Sequence, residues 1–509
     1  MKIRLHWGMV AVVGFMACAL PQRASALPPQ DGVQASLEAV SGTHSGPCPA
    51  TTNFAGSVTV TAGQAQQIQY KIVRSDGAEG PVQTLSFPGP GTQKITDTWT
   101  VDQTMEGWEE IQLVAPPQGE SGHADFQVRC GIEWSRPKLV LTGAGGSFSN
   151  LVIENGAWYV VRALDGNKPD LWLMTNKGGS WKACRVAPDL TVVAPLGRAA
   201  GLAVRNGVAY IVFDVDGAIM LASNPSGDQQ GPWNIYSVFP NTTQQAGNPS
   251  VAIAGDTLAV AISAANRDKG FPDVFVSTVP LSALGASTGG SLAWQTVDVT
   301  QDDTIRDDNP YLTADDGSLA LAWARNGWIE VNFARGQPGG PLGSSWASPP
   351  EQVATTGYQF GALQLAASHG RAVMGRMFQM KDGIETWGSI NAKGAWSSQM
   401  LGLEANSPAY DEVGAAFSRC GASLSFIRYA GIPDAGEYKV QPTVATFAGG
   451  QWSQQDIGPI RPFAGWAEIA PTEKGLGLVF QTSQGPEVDL WTAEGTCYQS
   501  SRKPPAVAH

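Results

Sequence analysis

The stretch that decides the fold reads Pro310-Tyr-Leu-Thr-Ala-Asp-Asp-Gly317, then Ser318-Leu-Ala-Leu-Ala-Trp-Ala324, then Trp328-Ile-Glu-Val-Asn-Phe333, with Ser344-Ser-Trp346-Ala-Ser-Pro after it. β-Branched, aromatic and small apolar residues alternate with turn residues in this stretch. That pattern gives an inner strand, a tight hairpin, a second and a third strand, and an outer strand carrying a tryptophan.

The same order recurs along the chain. Tryptophans preceded by small or polar residues stand at Trp134, Trp181, Trp233, Trp294, Trp346, Trp396 and Trp452, with successive spacings of 47, 52, 61, 52, 50 and 56 residues. Inner hairpin turns recur at Asn155-Gly156, Asn206-Gly207, Gly255-Asp256, Asp316-Gly317, His369-Gly370, Cys420-Gly421 and Lys474-Gly475. A period near 50 residues with several strands per unit predicts an all-β fold, a seven-bladed β-propeller over residues 132–498. The period from Trp466 to Trp491 lacks a tryptophan strand, and the Trp134 strand lacks inner strands before it. Pairing these two leftovers closes the ring and removes its free edges. Were Trp134 part of a linker, a six-bladed ring would be the alternative.

Ahead of the repeats, residues 27–131 read as one small β-sandwich of the immunoglobulin-like kind. Its half-buried strands include Ser57-Val-Thr-Val-Thr61, Gln67-Ile-Gln-Tyr-Lys-Ile-Val73 and Phe126-Gln-Val-Arg-Cys130. Residues 1–26 read as a secretory signal peptide: Lys2 and Arg4, an apolar run from Trp7 to Leu20, and Ala24-Ser25-Ala26 for cleavage. Residues 499–509 read as a flexible tail. The expected location is secreted or periplasmic, with no membrane span once the leader is removed.

The chain of 509 residues carries a net charge of −12, and losing Lys2, Arg4 and Arg23 with the leader takes it to −15. Without a basic run, such a chain is poorly matched to nucleic acid or to an anionic membrane surface. Five cysteines remain after cleavage, none in a CxxC pair, and the histidines are scattered, so no zinc site is expected. In an oxidising compartment two disulfides are expected, with Cys184 on an outer strand left over. Cys48–Cys130 should close the sandwich. Cys420–Cys497 should join two adjacent blades on the face that carries the inner hairpin turns.

The segment Met174-Thr-Asn176-Lys-Gly178-Gly-Ser-Trp181 and the proline-led strand at Pro310 resemble blades of the sialidase or BNR-repeat superfamily. There an Asp-box of pattern Ser-x-Asp-x-Gly-x-x-Trp recurs; here Met174 and Asn176 stand in place of its serine and aspartate. The resemblance covers the propeller only and implies its architecture. An active sialidase would add three arginines on a substrate carboxylate, an acid/base aspartate, and a tyrosine activated by a glutamate. Arg325, Arg428 and Arg461 are candidates for the first role, and Asp307 and Asp308 for the second. Tyr429 or Tyr410 with Glu412 or Glu437 could supply the third.

In a propeller, ligands meet the loops that lead into the inner strands and those that join second to third strands. Arg267, Asp268, Trp328, Tyr410 and Arg461 fall there as candidate substrate-binding residues, beside the catalytic candidates Asp307, Asp308, Arg325, Arg428 and Tyr429. No cofactor is expected; calcium is the one ion that the run Asp302-Asp303-Thr-Ile-Arg306-Asp307-Asp308 could hold. The leading expectation is an exported carbohydrate-directed propeller that binds glycans, with cleavage of the glycosidase or lyase type left open. The alternative is a non-catalytic scaffold holding a protein partner on that face.

Overall fold

The computed structural model describes residues 32–46, 50–101, 105–115, 119–142, 147–164, 170–186, 200–215, 217–224, 232–239, 246–265, 271–286, 292–301, 304–326, 329–337, 344–355, 360–380, 383–392, 394–405, 413–429, 439–448, 450–462, 466–484 and 487–497. The chain divides into two compact units, 1–44 with 50–129 and 45–49 with 130–509.

The first unit holds two antiparallel sheets. One has the order Val33–Ala39, Ala50–Val60, Gly91–Val101. The other has the order Thr43–Gly46, Ala124–Cys130, Met105–Ala115, Gln66–Arg74, Gln83–Phe87, with Gly119–Glu120 on the side. Strict alternation buries Phe54, Val58 and Val60 on one sheet and Ile68, Ile111, Phe126 and Val128 on the other. The strands read from the sequence begin at Ser57–Thr61, after Cys48. In fact Val33–Ala39 and Thr43–Gly46 precede it, because Val33 and Leu37 alternate inward. Cys48 lies outside the described residues, as does the side chain of Cys130, and with them the expected bridge.

In the second unit the described residues form seven antiparallel sheets, numbered I to VII here by their inner strands. These inner strands are Ser147–Glu154, Ala200–Arg205, Ala246–Ala254, Asp307–Asp315, Phe360–Ser368, Gly414–Ser418 and Ala467–Pro471. Sheets I to VI run outward in chain order, four strands each with a short extra strand on VI. Each inner strand packs on the next, and that of sheet VII packs back on that of sheet I. All seven line one axial cavity of about 440 Å³. The second unit is a β-propeller.

Sheet VII is made from both ends of this unit. Ile132–Trp134 pairs with 495–497, and Lys138–Leu141 with 490–492, so one outer strand, interrupted at Ser135–Pro137, flanks Glu487–Cys497. The Cys420–Cys497 disulfide, with Cα atoms 5.3 Å apart, ties the hairpin turn of sheet VI to the end of this strand. Cys184 lies on the outer strand of sheet I.

Among the described residues, each of the seven spaces between neighbouring sheets holds an apolar cluster that takes in the outer-strand tryptophan of one of them. Trp181 lies between VII and I, Trp233 between I and II, and Trp294 between II and III. Trp346, Trp396, Trp452 and Trp134 follow in turn. The recurring residue is therefore the wedge that sets each sheet against its neighbour. The hairpin turns have equally local causes. Asn155, Asn206, Asp316 and His369 all take φ near +50°, each followed by a glycine of positive φ, as a two-residue type I′ turn requires.

Candidate functional site

Among the described residues, sheet IV carries a dense polar group at the end of the ring opposite these turns. Its inner strand starts at Asp307 and bulges between Asp308 and Tyr311, where Asn309 takes φ of 48° ahead of Pro310. Sheet III does the same next door, bulging between Gly247 and Ser250, with Asn248 at φ 52° ahead of Pro249. Among the described residues, Asn248, Gln301, Asn309 and Asn326 are the positive-φ residues, glycine aside, that lie outside the hairpin turns. Asn309 lies in this start, Asn248 donates to Asp308, and the Asn326 amide donates to the Arg306 carbonyl, so three of the four adjoin it. Backbone held in sparsely populated regions needs surrounding structure to hold it there.

Asp307 is fully buried. It accepts hydrogen bonds from Trp323 Nε1 at 2.9 Å and from Arg325 Nη1 at 3.1 Å. Asp308 accepts from Arg306 Nη2 at 2.7 Å, from the Asn309 amide at 2.7 Å and from Asn248 Nδ2 at 3.3 Å. Burial pushes the Asp308 carboxyl up, but hydrogen bonds from Ser263, Arg306 and Asn309 and the Arg306 charge outweigh it, so the group lies below the usual aspartate range. It is a carboxylate at neutral pH. The result is two arginines, each clamped on a buried carboxylate, with Arg306 half exposed and Arg325 less so.

Of the sequence candidates, the structure thus brings together Asp307, Asp308 and Arg325. Arg428 is committed elsewhere: its Nη2 donates to Asp456 Oδ2 at 2.5 Å, on the outer strand of sheet VI. Tyr429 and Arg461 have their backbones in sheet VI, opposite Val440, and their side chains lie outside the described residues. Arg267, Asp268, Trp328 and Tyr410 also lie outside the described residues, together with Asp302, Asp303, Glu412 and Glu437.

Sequence reasoning passed over a second buried polar set nearer the axis. Gln364 Nε2, on the inner strand of sheet V, donates to Glu468 Oε1 on that of sheet VII at 3.0 Å. It reaches across sheet VI, whose Gly414 leaves no room for a side chain: a Cβ there would stand 2.4 Å from Ser425 Oγ and 2.9 Å from the Ile469 amide. Arg162 Nη2 donates to Gln481 Oε1 at 2.9 Å, and its guanidinium lies over Trp466. The available signal was a polar residue interrupting an apolar inner or second strand, as in Leu363-Gln364-Leu365 and Val161-Arg162-Ala163. Among the described residues no group of three or more His, Cys, Asp or Glu is placed to hold a metal ion. None of their helices is long and apolar enough to cross a membrane.

No family model matches the sequence, and no curated protein matches it. Solved structures similar to it include the polysaccharide lyase Uly1, at 8% identity and a TM-score of 0.43, covering 69% of this chain and 90% of that one. A point mutant of the NanB sialidase from Streptococcus pneumoniae is similar at 9% identity and a TM-score of 0.36, covering 92% and 93%. A Mycobacterium tuberculosis puromycin-hydrolyzing peptidase is similar at 14% identity and a TM-score of 0.44, covering 74% and 57%.

Proposed function

We propose that this chain is an exported glycan-binding β-propeller whose ligand sits over the start of the inner strand of sheet IV. On this reading residues 1–26 are a cleaved leader. The seven sheets are the seven blades of a ring over 132–498, and residues 27–131 are an immunoglobulin-like module. The strand orders of the first unit, three strands in one sheet and a larger second sheet in hairpin and crossover succession, support that last assignment.

The observation that carries the proposal is the pair of carboxylate-clamped arginines, Asp307–Arg325 and Asp308–Arg306, set in strained backbone at one end of the ring. Clamping fixes planar donor forks in space without leaving bare charge, which suits recognition of hydroxyl pairs on a sugar. Binding fits this geometry better than cleavage. Asp307 is sealed behind its donors, and Asp308 is held ionised and has no proton to give as a general acid. An arginine on each carboxylate also competes with calcium for them. The same saturation keeps the protein-binding scaffold in play as the second reading.

Glycan arrays followed by calorimetry on the full chain test this. Wild type should bind a glycan, and Arg306→Ala, which removes a half-exposed donor while Asp308 keeps its bonds from Asn309 and Asn248, should weaken it at least tenfold. Release of reducing ends or unsaturated products would restore the catalytic reading. Failure to bind any glycan, with capture of a protein ligand by the same face, would replace the proposal with the scaffold.

A further inference from the structure

Arg376 lies on the second strand of sheet V, Arg371–Met380. Its neighbours on the same face, Ala372, Met374 and Phe378, pack against Ala322, Val331 and Phe333 of sheet IV. The guanidinium therefore points into the space between these two sheets, and it is 1% exposed. Nη2 donates to Ser389 Oγ at 2.6 Å and to Ser398 Oγ at 3.1 Å. Nε and Nη1 find no acceptor among the described residues. Across the strand stand Leu363 and Trp387, and the Phe378 ring lies 5.5 Å away.

Elsewhere in the propeller, Arg185, Arg306, Arg325, Arg335 and Arg428 each have a carboxylate. Arg376 has none among the described residues, and burial alone pulls its pKa down to about 10. A buried cation without a counter-charge is strongly unfavourable, and buried donors without acceptors are rare in native proteins. The donor count identifies the missing partner. The two serine hydroxyls bond each other at 2.7 Å while both accept from Nη2, so one hydroxyl proton is left over beside Nε–H and the two Nη1–H. The site is rich in donors and short of acceptors. Water would bring two more donors into it, whereas an anion brings only acceptor capacity and the opposite charge.

We infer that Arg376 holds a monatomic anion, with chloride the abundant example, as a counter-ion buried between sheets IV and V. A halide takes about the room of one water molecule, roughly 30 Å³, so a buried interface can admit it where a phosphate or sulfate would not fit. The anion binds the folded ring and not the unfolded chain, so it couples stability to halide concentration.

Thermal unfolding of the full chain at fixed ionic strength, with chloride exchanged for gluconate, reads this directly. The midpoint should climb with the logarithm of chloride concentration in wild type and stay flat in Arg376→Met. Equal midpoints in the two salts, or the same climb in the variant, would overturn the inference. If Arg376→Met does not fold, crystals of the native protein in bromide decide it. An anomalous peak within hydrogen-bond distance of Nε or Nη1 is the expected result. Water density there without anomalous signal would sink the idea.

Discussion

The two ends of the propeller are built on different rules. At the hairpin-turn end, repeated turn contacts hold successive sheets together. The Glu154 carboxylate of sheet I accepts the amides of Asn206 and Gly207 in the turn of sheet II, at 2.8 and 2.6 Å. Asp315 of sheet IV likewise accepts the Gly370 amide of sheet V at 3.2 Å. Sheet VI joins sheet VII through the Cys420–Cys497 bridge and through Arg419, which donates to the Lys474 carbonyl. At the opposite end, individual buried side chains do the holding: Asp307, Asp308, Gln364, Glu468 and Arg162. One end is a repeated pattern of turn contacts, locked once by a disulfide. The other is assembled from single residues without substitutes.

Breaking that contrast should give effects of graded size. The largest is expected from Cys420→Ser with Cys497→Ser. Opening a loop of 77 residues costs roughly 4–5 kcal/mol in the chain-entropy model, measurable as a lowered denaturation midpoint of the ring. A loss under about 1 kcal/mol would show that the turn end holds sheet VII without its bridge.

Asp307→Ala should cost about 3–4 kcal/mol, because Arg325 and Trp323 Nε1 then lose their buried acceptor. Asp307→Ala with Arg325→Met should recover part of that loss. If the double variant is worse than additive, the pair is not the unit it is taken to be.

The first unit sharpens the comparison, since there one arginine serves two carboxylates. Arg74 donates to Glu109 at 2.8 Å and to Asp97 at 3.2 Å, while Glu109 Oε2 is buried and accepts no hydrogen bond from the described residues. Burial first, and the Asp97 charge second, raise the Glu109 carboxyl to about 7 against the opposing pull of Arg74. A folded-state pKa above the unfolded value means that the native unit holds a proton that the unfolded chain releases. Its contribution is therefore full below about pH 4.5 and is lost as pH rises through 7. Glu109→Gln should flatten that slope in denaturation midpoints taken from about pH 5 to 8. An unchanged slope would assign the titration elsewhere.

At the small end, Asn206→Ala should cost about 1 kcal/mol, since φ of 54° disfavours a side chain with no local hydrogen bond. Asn206→Gly should be near neutral. Arg428→Ala should move stability by less than about 1 kcal/mol, because its pair with Asp456 is well exposed.

The same contrast explains what could be read in advance. Turn residues such as Asn155-Gly156 and wedge residues such as Trp346 act through local backbone geometry and through their own bulk. They leave a periodic trace, and the strands and the Cys420–Cys497 pairing follow from counting them. The polar end leaves no period. Asp307 could be named from its conspicuously charged stretch and Arg325 from its place at the end of a second strand, but their burial and mutual saturation depend on Trp323 and on the neighbouring bulges. Gln364 and Glu468 are 104 residues apart and meet only because Gly414 lets one reach past an intervening sheet. A polar residue interrupting an apolar strand marks Gln364 locally, but nothing local names its partner. Arg376 was invisible for a related reason: its lack of a carboxylate among the described residues is a property of its surroundings and not of its own neighbours in sequence.

Sheet VII also fixes a timetable. Residues 132–141 are made early, yet their partner strand, Glu487–Cys497, is made about 350 residues later. During synthesis the outer strand of the last sheet must wait with its backbone groups bonded only to water, while six sheets can form from neighbouring chain. Closure is then a single late event of high sequence separation, slow by the entropy of the loop it shuts. The ring is thus born open, and the interval before its last strand arrives is when its bare edges stand exposed to other chains.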